Sequence, residues 1–321
     1  MRAVQITRLD GPSAVEVTDV PEPTAGTHVL IDIHAAGVTF PDVLQTRGQY
    51  QIKMPTPFVP GAEVAGVVRS APEGSGFSEG DRVAAFPGFG GYAETVAVDP
   101  AQVFPLPDRF SFEQGAAVPM NLLTVHFALK RRARLETGET VLVHGAGGGV
   151  GTAATQLAKA LGAEVIGVTS DGAKADLARR AGADEIAPAD GFLVAANKIT
   201  DHRGVDVVVD PVGGTRFTDS LRSLSREGRL LVIGFTGGEI PTVKVNRLLL
   251  HNTSVVGVGW GEFWLANRGY LQEQWRDLMP LMEAGALDPI IGSSYPLDEA
   301  AQALASMENR TAVGKLVLTV R

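Results

Sequence analysis

Residues 140–163 read TVLVHGAGGGVGTAATQLAKALGA, and this stretch decides the fold. The mostly apolar, β-branched run at 140–144 predicts a buried strand. Five residues with almost no side chain follow at 145–149, and apolar residues then recur at helical spacing until Gly162. A strand, a glycine turn and a helix aim unpaired backbone N–H groups and the positive end of the helix dipole at an anion. The stretch therefore predicts a phosphate site that suits the diphosphate of a dinucleotide.

The glycine turn has a second interpretation. The GxGxxG motif is not literally present, because its first glycine falls on Ala146 when Gly148 and Gly151 are aligned. Such a turn can also serve only to pack a strand closely against a helix. A second apolar strand at 164–168 follows at once, as a βαβ unit requires, and this favours the dinucleotide interpretation.

The composition excludes several classes of function. The chain has 321 residues, which suggests two domains, and its 45% hydrophobic content is ordinary for a globular protein. A net charge of −8 disfavours binding to nucleic acid or to an anionic membrane. The absence of cysteine excludes disulfides, thiolate zinc sites and a cysteine nucleophile. No apolar run has membrane-spanning length and residues 1–6 do not resemble a signal peptide, so we expect a cytoplasmic enzyme.

The N-terminal third is predicted to be mainly β-structure. Short β-branched runs alternate with glycine and proline turn signals, a pattern that favours an antiparallel barrel or sandwich. One helical insert is expected at 41–46. The predicted strands lie at 2–8, 14–20, 29–35, 63–69, 81–85 and 92–98.

From Ser111 onwards helices enter the pattern. Ser111 and Gln114 form a capping box that begins a helical region reaching residue 135, interrupted at Pro119. Alternating strands and helices follow, as a doubly wound sheet needs. These strands are predicted at 141–144, 164–168, 185–187, 205–210, 229–235 and 254–258. The C-terminal part, with helices at 264–284 and 297–307 and strands at 289–292 and 315–320, is expected to return to the N-terminal barrel.

At this point the residues match a known family. The chain resembles, over essentially its whole length, the zinc-independent quinone oxidoreductases of the medium-chain dehydrogenase/reductase superfamily. The motifs are HAAGV at 34–38, PGAEVAGVV at 60–68, GDRV at 80–83, LT at 123–124, VHGAGGGVG at 143–151, DPVGG at 210–214 and YPL at 295–297.

The resemblance implies an α/β protein with two domains. A GroES-like β-barrel domain would comprise 1–120 plus 266–321, and a Rossmann domain with a doubly wound, parallel six-stranded sheet would comprise 121–265. NADPH would lie in the cleft between them. Alanine at position 146 is usual in this branch of the superfamily.

We expect no metal site. Zinc prefers cysteine and histidine ligands. The cysteine of the zinc-dependent relatives, near Gly37 and Val38, has no counterpart here, their usual histidine is Ala62, and their four-cysteine lobe is missing.

The choice between NADP and NAD depends on the end of the second strand, where Thr169 and Ser170 stand. NAD sites place an acidic residue there, whereas NADP sites use small polar and cationic groups. The resemblance implies that Ser170 and Lys174 bind the 2′-phosphate, through charge-assisted hydrogen bonds worth roughly 1.5–3 kcal/mol each. Asp171 would favour NAD if it faced the ribose, but we interpret it as a helix N-cap and expect NADPH. In the alternative, Lys174 is only part of a solvated helix face.

Beyond the glycine turn, the resemblance implies further cofactor-binding residues, and most of them follow the carboxyl ends of parallel strands, where open α/β sheets bind ligands. They are Thr124, Ala146, Gly147, Gly148, Gly149, Val150, Thr169, Val212, Gly213, Gly234, Phe235, Thr236, Val258, Trp260 and Arg310. For Phe235 and Trp260, packing in the core or in a dimer is an equal alternative.

Substrate-side candidates come from the helical insert. Because the nicotinamide carries out hydride transfer, the protein needs only to orient the substrate, stabilise an oxyanion and supply a proton. Thr39 and Tyr50 are the candidate catalytic residues, with Asp42 beside them. Many quinone reductases have asparagine where this chain has Thr39. Tyr50 matches a tyrosine of enoyl-thioester reductases whose phenol could donate a proton, and packing in the pocket wall is the alternative.

We therefore expect zinc-independent, NADPH-dependent hydride transfer to quinones or α,β-unsaturated carbonyl compounds. Two alternatives stay open: a 2-enoyl-thioester reductase acting on CoA or acyl-carrier-protein substrates, and a non-catalytic NADPH-binding structural or regulatory protein. We also expect a homodimer that pairs the edge strand at 254–258 with its copy, because an uncovered sheet edge is a liability.

Overall fold

The computed structural model describes residues 1–267 and 269–321, and the chain divides into two compact units. The first unit comprises Met1–Met120, 269–283 and Pro289–Arg321. The second unit comprises Asn121–Asn267 and Ala284–Asp288.

The strands are numbered in chain order. They are β1 (Arg2–Ile6), β2 (Val15–Asp19), β3 (Val29–Val38), β4 (Glu63–Ser70), β5 (Arg82–Ala85), β6 (Thr95–Val98), β7 (Val103–Pro105), β8 (Thr140–His144), β9 (Glu164–Thr169), β10 (Glu185–Pro188), β11 (Val205–Asp210), β12 (Leu224–Val232), β13 (Ser254–Gly257), β14 (Ile291–Pro296) and β15 (Lys315–Thr319).

The α-helices are numbered in the same way. They are α1 (Phe40–Thr46), α2 (Phe112–Ala116), α3 (Pro119–His126), α4 (Gly149–Ala160), α5 (Gly172–Arg180), α6 (Phe192–Ile199), α7 (Phe217–Ser223), α8 (Asn246–His251), α9 (Trp260–Ala266), α10 (Tyr270–Glu283) and α11 (Ala300–Glu308). A π-helix at Phe127–Ala133 continues α3. Across 1–267 and 269–321, none of the helices has both the length and the apolar character to cross a bilayer.

The first unit is built on a seven-stranded sheet. Its strand order is β14-β15-β3-β4-β5-β7, with β6 also paired to β3, and β1 and β2 form a separate hairpin. The pairs are antiparallel except β14 with β15. Alternate residues of β3, Val29, Ile31 and Ile33, are fully buried in the core of this unit. Period-two burial of β-branched residues explains why these short segments form strands, and the expectation of an antiparallel N-terminal region is confirmed.

The second unit is a parallel six-stranded sheet with the order β10-β9-β8-β11-β12-β13. Numbered from β8, this is the 3-2-1-4-5-6 order of the doubly wound dinucleotide fold, so the predicted fold class is confirmed. Every residue of β8 is buried, as expected for the central strand of a sheet covered on both faces. The strand order reverses between β8 and β11, and ligands bind such sheets outside the carboxyl ends of the strands at this point.

Several element boundaries differ from the sequence prediction. The single helix expected at 264–284 is wrong: α9 ends at Ala266, α10 begins at Tyr270, and Gly269 between them has φ +88°. A positive φ is not helical, which explains the break. The strand expected at 229–235 is β12, which begins at Leu224 and ends at Val232.

Two further boundaries at the C-terminal end were wrong. The strand expected at 289–292 lies at Ile291–Pro296, where it pairs with β15. Its central residues Ser293 and Ser294 are exposed, so it carries little apolar signal. The helix expected at 297–307 begins as a 3-10 turn and becomes α-helical only from Ala300 to Glu308.

Candidate functional site

The glycine turn of the second unit joins the carboxyl end of β8 to the first residue of α4. Gly145 has φ +61°, a conformation that residues with a side chain rarely adopt. The N–H of Gly148 donates to the carbonyl of Gly145 at 2.9 Å and closes the turn. A Cβ on Gly151 would lie 2.1 Å from that same carbonyl oxygen, so only glycine allows the helix to approach the turn this closely.

The start of α4 has the properties of an anion site. The first N–H groups of a helix have no partner within the helix, and the helix dipole adds positive potential there. α4 has 12 residues and no acidic residue in its first turn. The turn at 145–149 itself supplies almost no side chain beside these donors, so the residues fit a diphosphate group.

Lys174, in the first turn of α5, packs against this glycine turn. A Cβ built on Gly147 would lie 2.5 Å from Cβ and 2.8 Å from Cα of Lys174, so the lysine stem covers the glycine. The Lys174 Nζ atom lies 3.4 Å from Oγ of Ser170 and 3.3 Å from Oδ2 of Asp171. The fold thus brings the diphosphate-type turn and the residues expected at the 2′-phosphate together at the ends of β8 and β9.

Asp171 caps α5. Its Oδ1 accepts a hydrogen bond from the backbone N–H of Lys174 at 3.0 Å, and its Oδ2 accepts one from the hydroxyl of Ser170 at 3.0 Å. The backbone N–H of Lys174 is the largest cause of the lowered pKa of Asp171. The interpretation of Asp171 as an N-cap is confirmed.

The loops after β11 and β12 are tied to each other. Oδ1 of Asp210 accepts from the N–H groups of Val212 and Gly213 at 2.9 and 2.8 Å. The N–H and the hydroxyl of Thr236 both donate to the carbonyl of Pro211 at 3.1 Å. Hydrogen bonds to the loop after β11 therefore hold Val212, Gly213 and Thr236 in place.

The other second-unit candidates differ in exposure. Phe235 is 37% exposed, which argues against simple core packing, whereas Val258 and Trp260 are 8% and 5% exposed. Burial of Trp260 favours its packing interpretation. Thr169, the last residue of β9, is also buried, and Thr124 on α3 is half-buried.

In the first unit, Thr39 and Asp42 form the N-cap of α1. Oδ2 of Asp42 accepts from the N–H and the hydroxyl of Thr39 at 2.8 and 2.6 Å. It also accepts from the hydroxyl of Tyr92 at 3.0 Å. Burial raises the pKa of Asp42, although these hydrogen bonds oppose the rise.

Tyr50 and Arg310 are the remaining candidates of the first unit. Tyr50 is half-buried, and burial together with the negative charge of Asp42 raises the pKa of its phenol. Arg310 follows α11, is exposed and has φ +61°. Their roles stay predictions.

Two buried residues at long sequence separation were missed by the sequence analysis. Tyr92 is fully buried against Asp42, and Lys315 is buried in an ion pair with Glu63. Neither partner is near in sequence, so no local motif signals them. The only sequence clue is that a lysine interrupts an otherwise apolar strand at 315–319.

His144 lies buried directly before the glycine turn. Its Nε2 is 2.8 Å from Oγ of Ser220, and the ring centroids of His144 and Phe192 lie 4.7 Å apart in a T-shaped arrangement. Burial lowers the pKa of His144 to about 4, despite the opposing charge of Asp210.

Protonation of His144 should make the free energy of unfolding depend on pH. Below the ordinary pKa of 6.5 the unfolded chain gains a proton that the native chain does not bind until about pH 4, so stability falls as pH is lowered through this window. We expect a loss of about 2 kcal/mol between about pH 7.5 and pH 5 in urea unfolding. His144→Gln, which can still hydrogen-bond Ser220, should remove this loss, whereas His28→Gln at an exposed position should not. Equal pH dependence in the wild type and His144→Gln would contradict the assignment.

Zinc does not fit the residues. Within the part of the chain that the structure describes, no group of three or more His, Cys, Asp or Glu side chains could hold a metal ion. The hydroxyl of Thr39, which follows Gly37 and Val38 in the sequence, is engaged by Asp42.

Comparison with known proteins agrees with this architecture. Residues 25–108 match the family model described as "Alcohol dehydrogenase GroES-like domain", and residues 149–284 match "Zinc-binding dehydrogenase". The chain is 36% identical over 324 residues to quinone oxidoreductase-like protein 2 of Bos taurus, covering 100% of this chain and 93% of the relative.

Two solved structures extend the likeness. A probable oxidoreductase from Mycobacterium abscessus is 47% identical with a TM-score of 0.92, covering 100% of this chain and 99% of that one. The quinone oxidoreductase from Thermus thermophilus, whose structures include a complex with NADPH, is 36% identical with a TM-score of 0.86 and full coverage of both chains, 100% each. The GroES-like and Rossmann parts, in the expected order, are thus present. The chain belongs to the quinone oxidoreductase branch of the medium-chain dehydrogenase/reductase family and is an oxidoreductase of that family.

Proposed function

We propose that the protein binds NADPH at the carboxyl edge of its parallel sheet and transfers hydride to quinones or α,β-unsaturated carbonyl compounds. The observation that carries this proposal is the packing of the Lys174 stem on Gly147, with the ammonium group beside Ser170. This places a cation and a hydroxyl group next to a turn that suits a diphosphate. The carboxylate of Asp171, the one feature that would favour NAD, caps α5.

The cofactor would be held by three groups of residues. The turn residues Ala146, Gly147, Gly148, Gly149 and Val150 would bind the diphosphate. Thr169, Ser170 and Lys174 would bind the ribose 2′-phosphate. The remaining candidates, apart from the buried Trp260, would border the rest of the cofactor: Thr124, Val212, Gly213, Gly234, Phe235, Thr236 and Val258. The NADPH complex described for the Thermus thermophilus relative supports this assignment.

The bound nicotinamide would supply the hydride. This chain's residues would then orient the acceptor and stabilise the oxyanion or enolate that forms on it. We assign this work to Thr39, on the N-cap of α1, and to Tyr50, whose raised pKa keeps its phenol protonated as a hydrogen-bond donor. The quinone oxidoreductase names of the relatives support acceptors of this class.

A substrate panel tests the proposal. NADPH and NADH are each offered with simple quinones, enals, enones and enoyl-CoA, and the nicotinamide absorbance is followed. We expect oxidation of NADPH with quinones or enones. Turnover restricted to enoyl-CoA would instead support the enoyl-thioester reductase alternative. Tight binding of NADPH without any turnover would support the non-catalytic alternative.

The second unit also presents an apolar face at the edge of its sheet. β13 ends the strand order, and the neighbouring α8 exposes Leu249 and Leu250 by 76% and 73%. We propose that β13 pairs with its copy in a homodimer and that α8 borders the interface, since open edges and exposed leucines are unfavourable in water.

If α8 borders a dimer interface, introducing negative charges on it should separate the two protomers. Leu249→Glu with Leu250→Glu should give monomers in light scattering at micromolar concentration. Val194→Glu, at a residue 73% exposed on α6, is the matched control and should leave the mass unchanged. A wild-type protein that is already monomeric would overturn the proposal.

A further inference from the structure

One oxygen atom of Asp42 accepts three hydrogen bonds. Oδ2 accepts from the hydroxyl of Thr39 at 2.6 Å, from the N–H of Thr39 at 2.8 Å and from the hydroxyl of Tyr92 at 3.0 Å. The residue is 0% exposed, and within the described chain its other oxygen, Oδ1, has no hydrogen-bond partner. The buried carboxyl group therefore accepts three hydrogen bonds at Oδ2 and none at Oδ1.

This arrangement controls which way the Thr39 hydroxyl can point. When Asp42 is ionised, its carboxylate is acceptor-only and holds the hydroxyl hydrogen of Thr39, so Thr39 offers a ligand only lone pairs. When Asp42 is neutral, its acid proton can make the 2.6 Å contact, and the hydrogen of Thr39 is free to turn to a ligand. Only the second state can donate a hydrogen bond to an oxyanion.

The surrounding charges favour the neutral state. The buried ammonium of Lys315 contacts Glu63 and donates to the carbonyl of Val38 at 2.9 Å. Glu63 also accepts from the N–H of Met120 at 2.7 Å. Two buried carboxyl groups thus lie near a single ammonium, which forms its ion pair with Glu63. A buried charge without a counter-ion is strongly disfavoured, so Asp42 tends to keep its proton.

We propose that Asp42 is a positioning residue whose protonation state sets the hydrogen-bond polarity of Thr39, and that hydride transfer to the quinone or enone requires neutral Asp42. The inference rests on the proposed function. In the step itself, bound NADPH would give up a hydride with the electron pair of its C–H bond and be left oxidised as NADP⁺. The hydride would form a C–H bond on an electron-poor carbon of the quinone or enone, the π electrons of the conjugated acceptor would shift to its carbonyl oxygen, and Thr39 would donate a hydrogen bond to that oxygen. The proton that finally neutralises the oxygen is taken from solvent.

The pH profile of kcat/KM tests this assignment. Activity should be high below the pKa of Asp42 and should fall as pH rises through it. Asp42→Asn keeps an acceptor for both donors of Thr39, so it holds the hydroxyl as the carboxylate does. We expect kcat/KM of Asp42→Asn to fall by about a hundredfold, as when an oxyanion donor is removed. Its pH profile should also lack the decrease at high pH that we attribute to Asp42. Thr39→Val should show the same loss of kcat/KM as Asp42→Asn, whereas Thr39→Ser, which keeps a hydroxyl, should retain the wild-type pH profile.

Tyr92→Phe gives a result that a structural role cannot produce. Its hydroxyl stabilises the carboxylate of Asp42, so its removal should move the falling limb to higher pH without abolishing activity. Tyr50, Glu63 and Lys315 also interact electrostatically with Asp42, and all three are unchanged in these variants. Identical pH profiles in the wild type, Asp42→Asn and Tyr92→Phe would overturn the inference.

A measurement without substrate separates this inference from the proposed function. The pH-difference infrared spectrum of the wild type should contain the carbonyl band of a protonated carboxyl group that Asp42→Asn lacks, with its midpoint at higher pH in Tyr92→Phe. If no acceptor in the panel is reduced but this band behaves as expected, the substrate assignment fails and the buried neutral acid stands. If acceptors are reduced and the band is the same in the wild type and Asp42→Asn, the inference fails and the proposed function stands.

Discussion

Replacing Lys174 with alanine should weaken the binding of NADPH by about tenfold to a hundredfold and leave the binding of NADH nearly unchanged. The ammonium group beside Ser170 would make charge-assisted hydrogen bonds only to the 2′-phosphate, which NADH lacks. The two dissociation constants can be measured by fluorescence titration of the folded variant. The ratio of the NADPH to the NADH dissociation constant, compared between Lys174→Ala and the wild type, reports the contact with the 2′-phosphate.

Two control variants sharpen the Lys174 experiment. Lys198→Ala removes an equal charge from an exposed position of the same unit and should leave both affinities as they are. Asp171→Asn keeps an N-cap side chain but removes the negative charge beside Lys174, so NADPH should bind more tightly. An equal loss of NADPH and NADH affinity in Lys174→Ala would refute the assignment of the 2′-phosphate.

Replacing Gly147 with valine should weaken both coenzymes by about a hundredfold. Its Cβ would lie 2.5 Å from Cβ and 2.8 Å from Cα of Lys174, so α5 and the turn must move apart. Overpacking of this kind typically costs about 1–3 kcal/mol, and here the displaced backbone is the proposed diphosphate site itself. NADH and NADPH should therefore lose affinity together, in contrast to Lys174→Ala.

Calorimetric titration and thermal unfolding should be measured on the same Gly147 variants. Gly147→Ala introduces the same Cβ with less bulk and keeps the test decisive if the valine variant does not fold. Gly261→Val is the control, because a Cβ there meets no atom within 4 Å. Unchanged affinity for both coenzymes in folded Gly147→Ala would show that the turn does not hold the diphosphate.

Features that depend on neighbouring residues were predicted from the sequence. The strand, glycine turn and helix from Thr140 to Ala160 follow from β-branched residues, missing side chains and 3.6-residue periodicity. The capping box of Ser111 and Gln114 and the cap at Asp171 were recognised for the same reason: each involves groups three residues apart. The assignment of cofactor-binding and catalytic residues, most of which came from resemblance, stays a prediction until the variants above are measured.

Only the tertiary structure decided which distant groups share an environment. Tyr92 reaches Asp42 across 50 positions and Lys315 reaches Glu63 across 252, because sheet register and burial, not local preference, bring them together. The strand at Ile291–Pro296 exists through pairing with β15, although its central serines are exposed. The sequence by itself therefore determined the dinucleotide-type sheet and its glycine turn, whose causes are local. The packing of Lys174 on Gly147 and the buried surroundings of Thr39 depended on the folded chain, because long-range contacts have no signature in adjacent residues.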